Sequence, residues 1–183
     1  MKKKIVTLST SFVATIAAVV FTLFCFEKNE KSIVVLYTTD VHTYINNVET
    51  DENGNEVSLL NYAKVAALKK DLEAEGKTVF LVDSGDNIQG SAYGGIDQGE
   101  GVRNLIGITG YDASAVGNHE FDYGMFRALE VLENSDYPYV SCNFVSSDTG
   151  ELMIPAHVVL EKNGIKVGNL TAIGSIKGDG KRQ

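Results

Sequence analysis

From residue 33 onward the chain alternates short β-branched runs with stretches of helical periodicity, and this alternation leaves few folds open. Residues 33–39, Ile-Val-Val-Leu-Tyr-Thr-Thr, have the composition of a buried strand. A polar turn at Asp51-Glu-Asn-Gly-Asn55 reads as a loop or hairpin tip, and Ser58 stands where it could cap a helix running to about residue 75. In that stretch Leu59, Tyr62, Ala63, Ala66, Ala67 and Leu68 recur at helical spacing, and Gly76 can close it. Thr78-Val-Phe-Leu-Val82 predicts the second strand. A glycine-rich loop from Gly85 to Gly101 leads to a helix over 102–108, followed by a third strand at Ala113-Ser-Ala-Val116. A helix is predicted over 124–133, with Met125, Leu129 and Leu132 on one side, and a fourth strand over 139–142. Such β-α-β order implies an α/β fold of mostly parallel strands joined by right-handed crossovers. The end of the chain differs, because Asn163-Gly164 between two alternating runs predicts a C-terminal antiparallel hairpin.

The first 26 residues are a separate object. Three lysines at positions 2–4 precede a run from Ile5 to Phe26 with no charge, and a polar switch begins at Glu27. A basic start before an apolar run is the pattern of a secretory signal. The run also reaches the roughly 20 residues needed to span a bilayer. Residues 1–26 are therefore expected to be a signal peptide or an uncleaved signal-anchor. On this reading residues 27–183 form one exported domain, extracellular, periplasmic or at the cell surface, and a retained residue 5–26 segment would hold it to a membrane. The chain carries a formal charge of −8; without residues 1–26, which hold three lysines and no acid, this becomes −11. That balance excludes a nucleic-acid duplex as the main partner, since no basic stripe exists to neutralise phosphates. Two cysteines exclude a disulfide-built scaffold.

In open α/β sheets, sites form beyond the carboxyl ends of the strands. The first predicted strand is followed by Asp40-Val41-His42, the second by Asp83-Ser84-Gly85-Asp86-Asn87, and the third by Gly117-Asn118-His119-Glu120-Phe121-Asp122. Each cluster alone could be an ordinary cap or turn. Three independent turns would not be expected to place ligand-type side chains at three successive strand ends. Mixed carboxylate, imidazole and amide donors suit Zn, Mn, Fe or a similar divalent ion. Asp40 and His42 can reach one ion, Asp86 can bridge two, and Asn118 offers an amide oxygen. His119 could stabilise a phosphoryl group or protonate a leaving oxygen, with Asp122 three residues on to orient its ring. His157, at the start of a hairpin strand, reads as solvent-facing.

Taken together, Asp40-x-His42, Gly85-Asp86-x-x-Gln89-Gly90-Ser91 and Gly117-Asn118-His119-Glu120-Phe121-Asp122 resemble the calcineurin-like metallophosphoesterases. Within them they look most like the bacterial 5′-nucleotidase / 2′,3′-cyclic-nucleotide phosphodiesterase branch. The resemblance implies an α-β-β-α sandwich, of which this chain would be the N-terminal part. It implies a two-metal site with Asp40 and His42 on one ion, Asp86 as bridge and Asn118 on the other, and His119 with Asp122 as the catalytic dyad. The substrate it implies is a small phosphate ester, a nucleotide first of all, attacked by a metal-activated hydroxide. The family adds further histidines from later strands, a lone His and then a Gly-His-x-His. Here His42, His119 and His157 are the only histidines, so the expectation is a domain incomplete at its C-terminus, binding metal weakly and turning over poorly by itself. A non-catalytic membrane-tethered module of the same fold, or a half completed by a second chain, are the alternatives.

Overall fold

The computed structural model describes residues 32–45, 48–58, 61–171 and 173. The expected export segment, residues 1–26, lies outside them. The β-branched runs form strands where expected: β1 is Ile33–Thr38 and, after the hairpin β2 (Val48–Thr50) and β3 (Glu56–Ser58), β4 is Thr78–Asp83. Helix α1 (Tyr62–Ala74) connects the hairpin to β4, and α2 (Ala92–Asp97) and α3 (Glu100–Thr109) connect β4 to β5 (Ala113–Ala115). Helix α4 (Met125–Glu133) leads to β6 (Tyr139–Val140), and a hairpin of β7 (His157–Lys162) and β8 (Ile165–Leu170) follows.

The fold is α/β. Its four-stranded sheet runs in the order β1-β4-β5-β6 with every pairing parallel, and β7-β8 is a separate antiparallel pair. Register decides what happens at the carboxyl edge. Thr38 pairs with Asp83, and Asp83 pairs with Ser114, so the ends of β1, β4 and β5 come out side by side. A hydrophobic core cluster groups Leu81 with Tyr62 and Val65 of α1, Val102 and Ile106 of α3, and Leu132 of α4. The last hairpin turns through Asn163 and Gly164, at φ of 52° and 73°, the left-handed pair that a two-residue turn between twisted strands requires. Lys162 Nζ at its tip reaches the Val79 carbonyl at 2.8 Å and Asp112 Oδ2 at 2.6 Å, which ties the hairpin to the sheet.

Four local expectations are corrected. The cap of α1 is Asn61, whose side chain accepts from Lys64 N at 3.0 Å, because Ser58 is taken into the β2-β3 hairpin. The glycine-rich stretch after β4 contains α2, capped by Ser91, where continuous loop was expected. In α4 Leu132 is buried and Leu129 packs partly buried against the core as expected, joined by buried Ala128 and Val131, while Met125 stands half exposed in the first turn. Strand β1 is not buried on both faces: it is an edge strand, and Ile33, Val35 and Tyr37 are 49%, 51% and 72% exposed.

Candidate metal centre

The loops leaving β1 and β4 are laced together by their backbones. Asp40 N donates to the Gly85 carbonyl at 3.1 Å, His42 N to Asp86 O at 3.0 Å, and Ser91 N to His42 O at 3.2 Å. To make these bonds Asp40, His42, Thr43 and Asp86 all adopt left-handed backbone, at φ of 53°, 49°, 60° and 61°. A non-glycine residue there costs about 1–2 kcal/mol. Unfavourable backbone concentrated on one loop pair persists only where its surroundings over-determine it, a pattern that marks functional sites. The loop after β5 closes on the same point. Gly117 passes so near Asp86 that a Cβ on it would lie 2.2 Å from Asp86 Oδ1 and 2.6 Å from Asp86 N. Only glycine admits that approach.

This lacing gathers three of the residues singled out from the sequence. The ligand atoms of His42, Asp86 and His119 all lie within 4.8 Å of one another. His42 Nδ1 donates to the Gln89 carbonyl at 3.1 Å, which leaves Nε2 as the acceptor nitrogen. The His42 and His119 rings meet edge to face, 4.8 Å between centroids. Asp86 Oδ1 accepts from His119 N at 2.7 Å. Asp40 is outside the trio; its exposed carboxylate takes the Thr39 hydroxyl and lies 3.7 Å from His42 Nε2. Asn118, half-buried, opens the single 3-10 turn His119–Phe121, its carbonyl accepting from Phe121 N at 3.3 Å. Asp122 closes that turn and holds His119 Nδ1 at 2.7 Å. This bond raises the pKa of the His119 imidazole, with burial opposing and the Asp122 charge adding to it. His157 is exposed at the start of β7, as its place in the sequence suggests. Nitrogen and carboxylate donors converging in this way suit a borderline or hard divalent cation, and no thiol takes part among the described residues.

Two buried acids beneath these loops were not singled out from the sequence. Asp83 accepts from Gly85 N at 2.6 Å and Ser114 Oγ at 3.2 Å, and also from the Thr38 hydroxyl and the Asn87 amide. Its burial raises the pKa of the carboxyl, and the same hydrogen bonds pull it back. Glu120 is fully buried, and its carboxylate accepts Asp86 N at 2.9 Å, Gly117 N at 2.6 Å and Asn87 N at 2.7 Å. Burial raises its pKa too, against the pull of those three donors. No periodicity reveals either acid. The signal in the sequence is indirect: glycine-rich loops expose backbone N–H groups that need acceptors.

Comparison with known proteins agrees with this architecture. The family model described as calcineurin-like phosphoesterase matches residues 33–182. A 5′-nucleotidase of Diplobatis ommata is 33% identical over 74% of this chain and 25% of its own length. A 2′,3′-cyclic-nucleotide 2′-phosphodiesterase/3′-nucleotidase of Haemophilus influenzae is 26% identical over 74% of this chain and 22% of its own. The crystal structure of a 5′-nucleotidase precursor from Thermus thermophilus superposes with a TM-score of 0.67 at 26% identity, covering 76% of this chain and 28% of that one. The chain thus spans about a quarter of the length of the relatives it matches. With a family match running through nearly all of the sheet and the three loops at its carboxyl edge, this chain belongs to the calcineurin-like phosphoesterases.

Proposed function

We propose that this chain carries the metal-binding and proton-donating part of a metal-dependent phosphoesterase acting on small phosphate esters, nucleotides in the first place. The observation that carries the reading is the convergence of His42, Asp86 and His119 donor atoms within 4.8 Å at three successive strand ends. The names of the relatives support the substrate class, since the first two act on nucleotides. In this reading Asp40, His42, Asp86 and Asn118 would hold two divalent ions. When bound, such ions supply Lewis-acid polarisation at phosphorus and lower the pKa of water.

The chain's own residues do the rest. His42 presents Nε2 because the Gln89 carbonyl holds its other nitrogen at 3.1 Å. Asp86 is fixed at both ends, its backbone by Glu120 and its carboxylate by His119 N. His119 holds a proton on Nε2 while Asp122 engages Nδ1 at 2.7 Å, so the imidazolium faces the substrate with one donor free. As the ester bond breaks, that proton passes to the departing oxygen and the neutral ring remains paired with Asp122. The acidic charge of −8 does not attract an anionic ester, so the positive charge at the site would come from divalent cations held by these residues. Residues 1–26 are assigned the role of an export segment, which places the substrate outside the cytoplasm.

The test is hydrolysis of a nucleoside 5′-monophosphate and of p-nitrophenyl phosphate by the 183-residue chain with Mn²⁺ or Zn²⁺. Turnover that needs the metal, disappears in excess chelator and falls at least a hundredfold in Asp86→Ala is expected. Hydrolysis that survives chelation, or an Asp86→Ala chain as active as the parent, overturns the reading.

A further inference from the structure

Glu120 has a role that the chemistry above does not use. Its carboxylate is fully buried and has no cation beside it among the described residues. An ionic carboxylate is costly to bury unless its oxygens are satisfied. Here they are satisfied by backbone alone, and by backbone from two different loops. Oε2 takes Asp86 N and Gly117 N at 2.9 and 2.6 Å, and Oε1 takes Asn87 N at 2.7 Å. The return contact closes a ring, because the Asp86 carboxylate accepts the N–H of His119, the residue before Glu120, at 2.7 Å. Each acid therefore holds the backbone of the other's loop. The left-handed φ of 61° at Asp86 is part of this arrangement.

We propose that Glu120 is a positioning residue that sets where the Asp86 carboxylate stands relative to the Asn118-His119 segment, and thereby sets metal affinity without touching metal or substrate. The inference rests on the metal-site reading given above. The chemistry of the contact makes it specific. A glutamine keeps the shape but must turn its NH₂ toward at least one backbone N–H, setting donor against donor. An aspartate keeps the charge but is one methylene shorter, so it cannot hold both loops at these distances. Leaving buried N–H groups without acceptors has a cost that the loops can avoid only by moving.

The experiment measures Mn²⁺ binding to the full chain by electron paramagnetic resonance of the free ion, well below the thermal transition, with circular dichroism on the same samples. Parent, Glu120→Gln, Glu120→Asp and Asp86→Asn chains are compared. The expected result is measurable binding by the parent, none by Asp86→Asn, and at least tenfold weaker binding by folded Glu120→Gln, with Glu120→Asp in between. A folded Glu120→Gln chain that binds Mn²⁺ like the parent, while Asp86→Asn does not, overturns the role of Glu120 and leaves the metal site standing. A parent chain that binds no Mn²⁺, or an Asp86→Asn chain that binds like the parent, overturns the metal reading and this inference with it. If Glu120→Gln does not fold, amide hydrogen exchange in the parent decides. Asp86, Asn87 and Gly117 amides protected, and more so with Mn²⁺, support the clamp; exchange as fast as in exposed turns overturns it.

Discussion

The proposed chemistry draws its proton from His119, and one neighbour would set how tightly that proton is held. The Asp122 hydrogen bond raises the imidazole pKa above the ordinary value of about 6.5, with burial opposing it. Replacing Asp122 with Asn removes the charge and most of that bond, so the His119 pKa should fall toward the ordinary value. Titrating the His119 ring protons by NMR in the metal-free chain measures this, and an unchanged midpoint would contradict it. The sign of the linked stability follows. A group whose folded pKa is raised contributes fully below its unfolded pKa, and that contribution is lost as pH rises through the folded value. The parent should therefore lose a little stability across that window, and Asp122→Asn should show a flatter profile there. Gly117 makes a second prediction at this scale. A methyl group 2.2 Å from Asp86 Oδ1 cannot be absorbed by a flexible side chain, because Asp86 N is also 2.6 Å away. Gly117→Ala should cost about 1–3 kcal/mol in urea unfolding and weaken Mn²⁺ binding at least tenfold. His42, Asp86 and His119, which the structure brings together, were legible because their types are rare together at strand ends. Glu120 was written in the same motif, yet nothing in its neighbours tells an acid that points outward from one that caps three buried amides.

Elements were legible in proportion to how locally they are determined. Strands β1 and β4 start where their β-branched runs start, and Asn163-Gly164 carries its own turn geometry, so each could be read directly. Helix α2 was hidden because Gly94 and Gly95 lower its propensity; it forms because Ser91 caps it and Gly94 packs where a Cβ would lie 2.5 Å from the Ile88 carbonyl. The exposure of Ile33, Val35 and Tyr37 was illegible for the opposite reason. Composition reports that a strand suits a sheet, whereas edge position is a property of strand order. The start of α1 offers a test of local determination. Asn61 leaves the helix at φ −143° and accepts from Lys64 N, so its side chain satisfies one of the first-turn donors. Asn61→Ala should lower stability by about 0.5–2 kcal/mol. A midpoint in urea indistinguishable from the parent would remove Asn61 as the cap. At the other end of the chain, Lys162 bonds both Val79 O and Asp112 across the sheet. Lys162→Met keeps the stem and drops the charge; it should cost about 1–3 kcal/mol and loosen amide protection along β7 before β4 is affected.

For the molecule as a whole, folding brings acidic groups together in a chain that is already acidic. The formal charge is −8, and the carboxyl edge of the sheet gathers Asp83, Asp86, Glu120 and Asp122 with no lysine or arginine bonded to any of them among the described residues. Four neighbouring residues there hold left-handed backbone. An isolated domain would gain nothing from such a concentration of like charge and unfavourable conformation. A domain that binds divalent cations at that edge recovers the cost on binding, because the unfolded chain offers no comparable site. Cation binding must then appear as stability. A ligand that binds only the folded state at a hundred times its dissociation constant stabilises by about 2.7 kcal/mol. For a chain of this size, each kcal/mol corresponds to roughly 2–4 °C in the transition midpoint. Mn²⁺ should therefore raise the thermal midpoint by roughly 5–10 °C. Excess chelator should return it to the metal-free value, and Asp86→Asn should abolish the rise. Mg²⁺, which retains its water and prefers oxygen donors, should give a smaller shift at the same concentration because His42 supplies nitrogen. Equal midpoints with and without Mn²⁺ would mean that the acids at this edge are held together for some reason other than a cation.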